Sequence, residues 1–157
     1  MKIAADTSFL CAIYRNQDNS ERALTFLSTL TGPIQVTRLL LWEFRQSTRF
    51  QAFRFRKDRN HGFPYSEAER MIAKLRQHLD EGVLKLVDQE LTAVLGIAER
   101  LSKTRTHTDG HRSFDILHTA AALELEADAF LSFDGNQNAV AASEGMSTPL
   151  ALHPPER

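Results

Sequence analysis

Hydrophobic positions along the chain come in two forms, short solid runs and stripes at helical spacing. Residues 2–5 form a brief apolar run that stops at Asp6 and predicts a buried strand. Phe9, Leu10, Ile13 and Tyr14 then share one side of a helix capped by Thr7 or Ser8. Ala23, Leu24, Phe26, Leu27 and Leu30 mark a second helix over 20–30, capped by Ser20 and broken at Gly32-Pro33. "IQVT", 34–37, predicts another strand and 38–55 a helix; Ser66 and Glu69 have capping-box spacing for a helix over 66–80. The strand "VLKLV", 83–87, is followed by a helix over 90–104 and a polar loop, 105–112, holding His107, Asp109, Gly110 and His111. A nearly all-apolar helix over 113–126, a strand "AFLSF" at 129–133 and a helix near 136–144 complete the order, with "MSTP" as an edge strand. Short apolar strands alternating with helices predict an α/β fold, a parallel sheet covered on both faces.

Bulk properties narrow the possibilities. The 157 residues, 42% hydrophobic and 25% charged, suit one domain with its own core, and no repeat or linker divides them. A net charge of −1 means that any nucleic-acid surface must arise from local clustering. The single cysteine, Cys11, excludes an internal disulfide and a cysteine-built zinc site. "MKIAADTSFL" places Asp6, Thr7 and Ser8 where a signal peptide would be apolar, and no run approaches the ~20 residues that cross a bilayer. These features predict a cytoplasmic protein with no membrane association.

Four carboxylates stand in suggestive places. Asp6 and Asp134 each follow a predicted parallel strand, where ligands of open α/β sheets bind, although either residue could be a plain helix cap. Glu43 lies in "LLLWEFRQ", and none of its neighbours at i±3 and i±4 (Leu39, Leu40, Gln46, Ser47) is cationic. A buried, unpartnered glutamate is costly, so it needs a divalent cation or a distant Arg or Lys. Asp115 opens the apolar helix "SFDILHTAAAL", where the helix dipole welcomes negative charge and Ser113 is positioned to cap. Four acids from four segments suit hard cations such as Mg²⁺ or Mn²⁺ beside a phosphodiester. In two-metal sites one ion activates water and the other stabilises the leaving oxygen.

"AADTSFL", "LLLWEF", "SFDILHTAAAL" and "DAFLSFDGNQ", taken in order, resemble the successive acidic motifs of PIN-domain nucleases, especially VapC-type toxins of toxin–antitoxin pairs. The resemblance spans almost the whole chain. It implies a three-layer α/β/α sandwich around a five-stranded parallel sheet, and Mg²⁺- or Mn²⁺-dependent cleavage of RNA. The family's four acids, which bind metal and carry catalysis, fall on Asp6, Glu43, Asp115 and Asp134. Ser132 matches a frequent hydroxyl position beside the fourth acid. His118, one turn after Asp115, is often histidine in such motifs and would orient Asp115 from behind unless it is simply structural; Thr7 or Ser8 would steady Asp6. The family also implies a small antitoxin partner and a homodimer.

Residues 45–59 add a feature of their own. Arg45, Arg49, Arg54, Arg56, Lys57 and Arg59 face one acid, Asp58, and Phe50, Phe53 and Phe55 interleave with them. Cations for phosphates and rings for stacking suit single-stranded nucleic acid. A solvated helix face packed through its phenylalanines, or an antitoxin docking surface, would look the same. This basic helical extension, about 45–62, is longer than in compact toxins of the family. Two other classes compete with a ribonuclease: a catalytically silent PIN-like module that binds RNA or protein, and an aspartyl phosphatase. The latter is disfavoured because Ser8 stands where a second aspartate belongs.

Overall fold

The computed structural model describes residues 1–152. Four short strands, β1 (Ile3–Ala5), β2 (Ile34–Val36), β3 (Leu84–Leu86) and β4 (Ala129–Leu131), pair in parallel in the order β3-β2-β1-β4. Ala4 is the centre of the register, opposite Gln35 on one side and Phe130 on the other. Successive strand residues point to opposite faces. Ile3, Ala5, Ile34, Val36, Leu84, Ala129 and Leu131 share one core with Phe9, Leu10, Leu40, Phe44 and Leu75. Those partners belong to α1 (Thr7–Tyr14), α3 (Arg38–Lys57) and α4 (Tyr65–Asp80), and α2 (Ser20–Thr29) adds Ala23. Ala4 and Phe130 face the other way, toward α7 (Ser113–Glu124) and α8 (Gly135–Ser143), outside which lies α5 (Leu91–Leu101). The sheet is therefore the middle layer of an α/β/α sandwich.

The fifth strand expected from "MSTP" is reduced, among the described residues, to one parallel bridge between Ser147 and Ala129. Gly145 turns the chain at φ 94°, and a turn closed from the Ala151 N–H to the Thr148 carbonyl ends the pairing at once. Pro149 inside that turn has no N–H to extend a ladder. The expected loop 105–112 is also partly helical. A π-helical segment, Ser102–Thr106, runs on into the short α6 (His107–Asp109), and Gly110 stops it in the left-handed region.

Several caps differ from the expected ones. Of the two readings for α1, Asp6 as a helix cap is the one that holds, accepting from the Phe9 N–H in place of Thr7 or Ser8. Asn19 precedes α2, and the Ser20 hydroxyl turns back to the Arg15 carbonyl instead. The α4 helix begins at Tyr65 behind Pro64, whose carbonyl takes the Glu67 and Ala68 N–H groups, so no Ser66–Glu69 box forms. Arg112, rather than Ser113, is the cap residue of α7.

The chain returns from the long α3 to α4 through a loop at 58–64. Gly62 sits there at φ 72°, and a Cβ on it would lie 2.0 Å from the Gln51 carbonyl oxygen in α3. Gly62→Ala combines left-handed strain with a backbone clash. It is expected to cost about 1–3 kcal/mol, seen as a lower urea midpoint with an unchanged slope.

Candidate functional site

The strand order reverses direction of growth between β1 and β4, the place where open parallel sheets bind ligands. Asp6 leaves β1 there, completely buried, and its N–H donates to the Leu131 carbonyl of β4 (3.1 Å). Four donors converge on its carboxylate. Oδ1 accepts from the Ser8 hydroxyl (2.6 Å) and the Phe9 N–H (3.0 Å). Oδ2 accepts from the Ser132 hydroxyl (2.6 Å) and the Gln137 side-chain amide (2.8 Å). Burial pushes the Asp6 carboxyl up from its ordinary range, against the lowering effect of Ser132, Ser8, Phe9 and His118.

Ser132 ties the two strand ends together. While its hydroxyl donates to Asp6, its oxygen accepts from the Asp134 N–H (2.9 Å). Asp134 in turn caps α8 through the Gln137 N–H (3.0 Å). Asp134-x-x-Gln137 thus has capping-box spacing, in which the glutamine would ordinarily reach back to the cap's own N–H. Ser132 already occupies that N–H. The Gln137 side chain is released inward, where its Nε2 lies 2.8 Å from Asp6 Oδ2 and 3.4 Å from Asp115 Oδ1. Gln137 is the residue that sequence reasoning missed, and this spacing behind a strand-end aspartate was the available signal.

Asp115 combines two tasks at the mouth of α7. Its Oδ2 accepts from the Arg112 N–H (3.2 Å), closing the first turn, while Oδ1 faces Gln137. The carboxylate that opens a buried helix is therefore both a helix starter and a wall of the cleft.

Glu43 makes a second, adjoining cluster. Its Oε2 accepts from the Thr7 hydroxyl and pairs with His118 Nε2, so a histidine answers its burial at contact and the Arg112 charge adds from farther off. Burial would raise this carboxyl, but the hydrogen bonds from His118 and Thr7, with the His118 charge, prevail and hold it below the usual carboxylate range. Thr7 accordingly serves Glu43, and of the two hydroxyls it is Ser8 that steadies Asp6. His118, expected behind Asp115, sits one turn along α7 and points to Glu43 instead.

Oxygen donors dominate this cleft: carboxylates of Asp6 and Asp115, hydroxyls of Ser8 and Ser132, and Gln137 Oε1, which is buried without a hydrogen-bond partner. An amide nitrogen held between two carboxylates, beside an orphaned carbonyl oxygen, fits a hard divalent cation in chemistry. Among the described residues no three His, Cys, Asp or Glu side chains already converge on one point, since Glu43 is turned toward Thr7 and His118. The basic stretch lies along the outer end of α3, where Arg45 is half-buried and Arg49, Arg54, Arg56 and Lys57 are exposed, with Arg59 exposed just beyond. No described helix is long and apolar enough to cross a membrane.

A parallel sheet between two helical layers, with an aspartate at the end of β1 facing one at the start of α7, defines the class. The chain belongs to the PIN-domain family, which it matches over residues 3–143. Its fold is similar to that of VapC20 from Mycobacterium tuberculosis, a sarcin–ricin loop cleaving toxin (TM-score 0.59, 16% identity, 88% of this chain and 95% of that one). It is similar too to FitAcB from Neisseria gonorrhoeae (TM-score 0.59, 16% identity, 93% and 95%). VapBC-1 from nontypeable Haemophilus influenzae gives a TM-score of 0.60 at 13% identity, over 94% and 96%. At such identities the likeness is one of fold. Among curated proteins none matches in sequence. PIN domains generally use divalent metal ions.

Proposed function

We propose that this protein is a metal-dependent endoribonuclease that hydrolyses RNA phosphodiester bonds, and that it is the toxin of a toxin–antitoxin pair. The observation that carries the proposal is the convergence of Asp6 and Asp115 on one amide nitrogen at the switch point of the sheet. The fold shared with a sarcin–ricin loop cleaving toxin supports RNA as the substrate.

Asp6 and Asp115 would hold Mg²⁺ or Mn²⁺, with Asp134 and Glu43 as the remaining acids. The bound ion supplies Lewis acidity for attack on phosphorus. Ser8 and Ser132 fix both oxygens of Asp6, so that carboxylate pays no reorientation cost on loading. Gln137 would yield its two carboxylate contacts to the ion, and its unpartnered Oε1 lies beside them as a further oxygen for it. His118 and Thr7 keep Glu43 ionised at the edge of the cleft. A small antitoxin and a second copy of the chain are the protein partners proposed with it, and the cytoplasm is the proposed compartment.

A silent RNA- or protein-binding module is favoured by one observation, the turning of Glu43 toward Thr7 and His118. The test is incubation of the purified protein with a mixed, structured RNA pool in Mn²⁺, Mg²⁺ or EDTA. Cleavage that requires metal is expected. RNA binding without cleavage in either metal would replace the enzyme by the binding module.

A further inference from the structure

The outer face of α3 carries an arrangement that the acids do not use. Trp42, Arg45, Arg49, Phe53 and Arg56 follow one another at spacings of three and four, which is one stripe of a helix. From Trp42 to Phe53 the stripe runs roughly 16 Å at 1.5 Å per residue. Trp42 is 53% exposed and Phe53 46%. Phe50, also exposed, stacks on Phe53 at 5.8 Å between ring centroids.

The inner end of the stripe reaches the cleft. Trp42 adjoins Glu43 in sequence, and its ring lies 5.9 Å from that of Phe114, which adjoins Asp115. Phe114 in turn is 6.0 Å from the His118 ring, the partner of Glu43. The two rings therefore form a rim over the acids, supplied by the same two helices that supply Glu43 and Asp115. Trp42 is exposed over a half-buried Phe114, and a large ring left in water at the mouth of a polar cleft marks a binding surface rather than a core.

Charge decides what the surface is made for. Arg45, Arg49 and Arg56 interleave with the rings, and residues 45–59 hold six cations against one acid. Rings alternating with guanidinium groups match a strand that alternates flat bases with phosphates. A duplex offers no free base face for the rim.

We propose that Trp42 and Phe114 form a base-stacking step at the rim of the acidic cleft, and that the α3 stripe is the track along which unpaired RNA leaves it. The step presupposes RNA cleavage at the same cleft and adds a stacked base and a phosphate track beside it.

Trp42 is the only tryptophan, so its emission reports this step directly. In EDTA, a short unpaired oligoribonucleotide should quench the emission saturably, and the same sequence closed into a hairpin stem should not. Anisotropy of the end-labelled strand should give affinities about 10-fold weaker for Trp42→Ala and for Phe114→Ala, the scale of one lost stacked base. Trp42→Phe should restore most of the loss. Arg49→Gln and Arg56→Gln should each lower the salt slope by about 0.7. Leu24→Ala, on the exposed side of α2, should change nothing.

Binding by anisotropy with unmoved Trp42 emission and an unaffected Trp42→Ala variant would overturn the track and leave the ribonuclease standing. Emission that responds only to protein concentration, in step with sedimentation, would overturn it in favour of a protein interface. Neither binding nor metal-dependent cleavage would remove the ribonuclease itself.

Discussion

Asp6→Asn is expected to abolish metal-dependent RNA cleavage, by at least about 100-fold, while leaving the metal-free protein as stable as wild type or more so at neutral pH. Asn keeps an oxygen for the Phe9 N–H and the Ser8 hydroxyl. Its amide nitrogen replaces the oxygen that took Ser132 and Gln137, and Gln137 turned over would present its unpartnered Oε1 to it. The sign with pH follows from the raised Asp6 carboxyl. Folding favours its protonated form, so its contribution is full below the unfolded value and falls as pH rises through the folded one. The variant escapes that fall, and the two proteins should converge toward acid. Metal reverses the ranking. At 100 times the Kd an ion adds about 2.7 kcal/mol to wild type, roughly 5–10 °C in Tm for a chain of this size. Asp6→Asn should show no such shift, and thermal melts with and without Mn²⁺ check both halves. Asp115→Asn should lose cleavage similarly. A variant that retained metal-dependent activity would remove Asp6 from the site.

Phe44→Ala is expected to destabilise the fold by about 3–5 kcal/mol, a large part of what a domain has to lose. Phe44 is fully buried, with Tyr14 of α1 at 5.3 Å and the Arg15 guanidinium at 5.8 Å. It stands directly after Glu43, so the same packing that anchors α3 to α1 sets where Glu43 meets Thr7. Tm should fall by roughly 6–20 °C, and Phe44→Leu by much less. If the Ala variant melted like wild type, the α1–α3 seam would not be the anchor of the fold.

Helices and strands were legible because burial writes period into sequence. Ile34 and Val36 flank Gln35 in β2, and Phe9, Leu10, Ile13 and Tyr14 carry the helical spacing of α1, while β1 was legible as a solid apolar run. End points were less legible, because several residues near a helix start can serve as cap and tertiary contacts choose among them. Ser20 was drawn off by the Arg15 carbonyl, and Pro64 pre-empted Ser66. The three aspartates could be located from their strand and helix ends and Glu43 from its apolar surroundings, but not the partners of any of them. Glu43 finds His118 across 75 positions of sequence, a distance over which no local spacing speaks. Gln137 was hidden for a different reason: its side chain is free only because Ser132 had taken the N–H that a capping box would use.

The α3 helix runs unbroken from Arg38 to Lys57, with Glu43 in its first half and the ring-and-cation stripe continuing through its second. The cleft and the proposed track are thus mounted on one shaft. Each residue added to a helix turns everything beyond it by roughly 100°, so one alanine inserted after Ser47 would swing Phe53 and Arg56 off the face that Trp42 occupies. The buried Thr48 and Ala52 would turn with them, so on the proposed function the insertion would uncouple grip from cutting at a cost in packing.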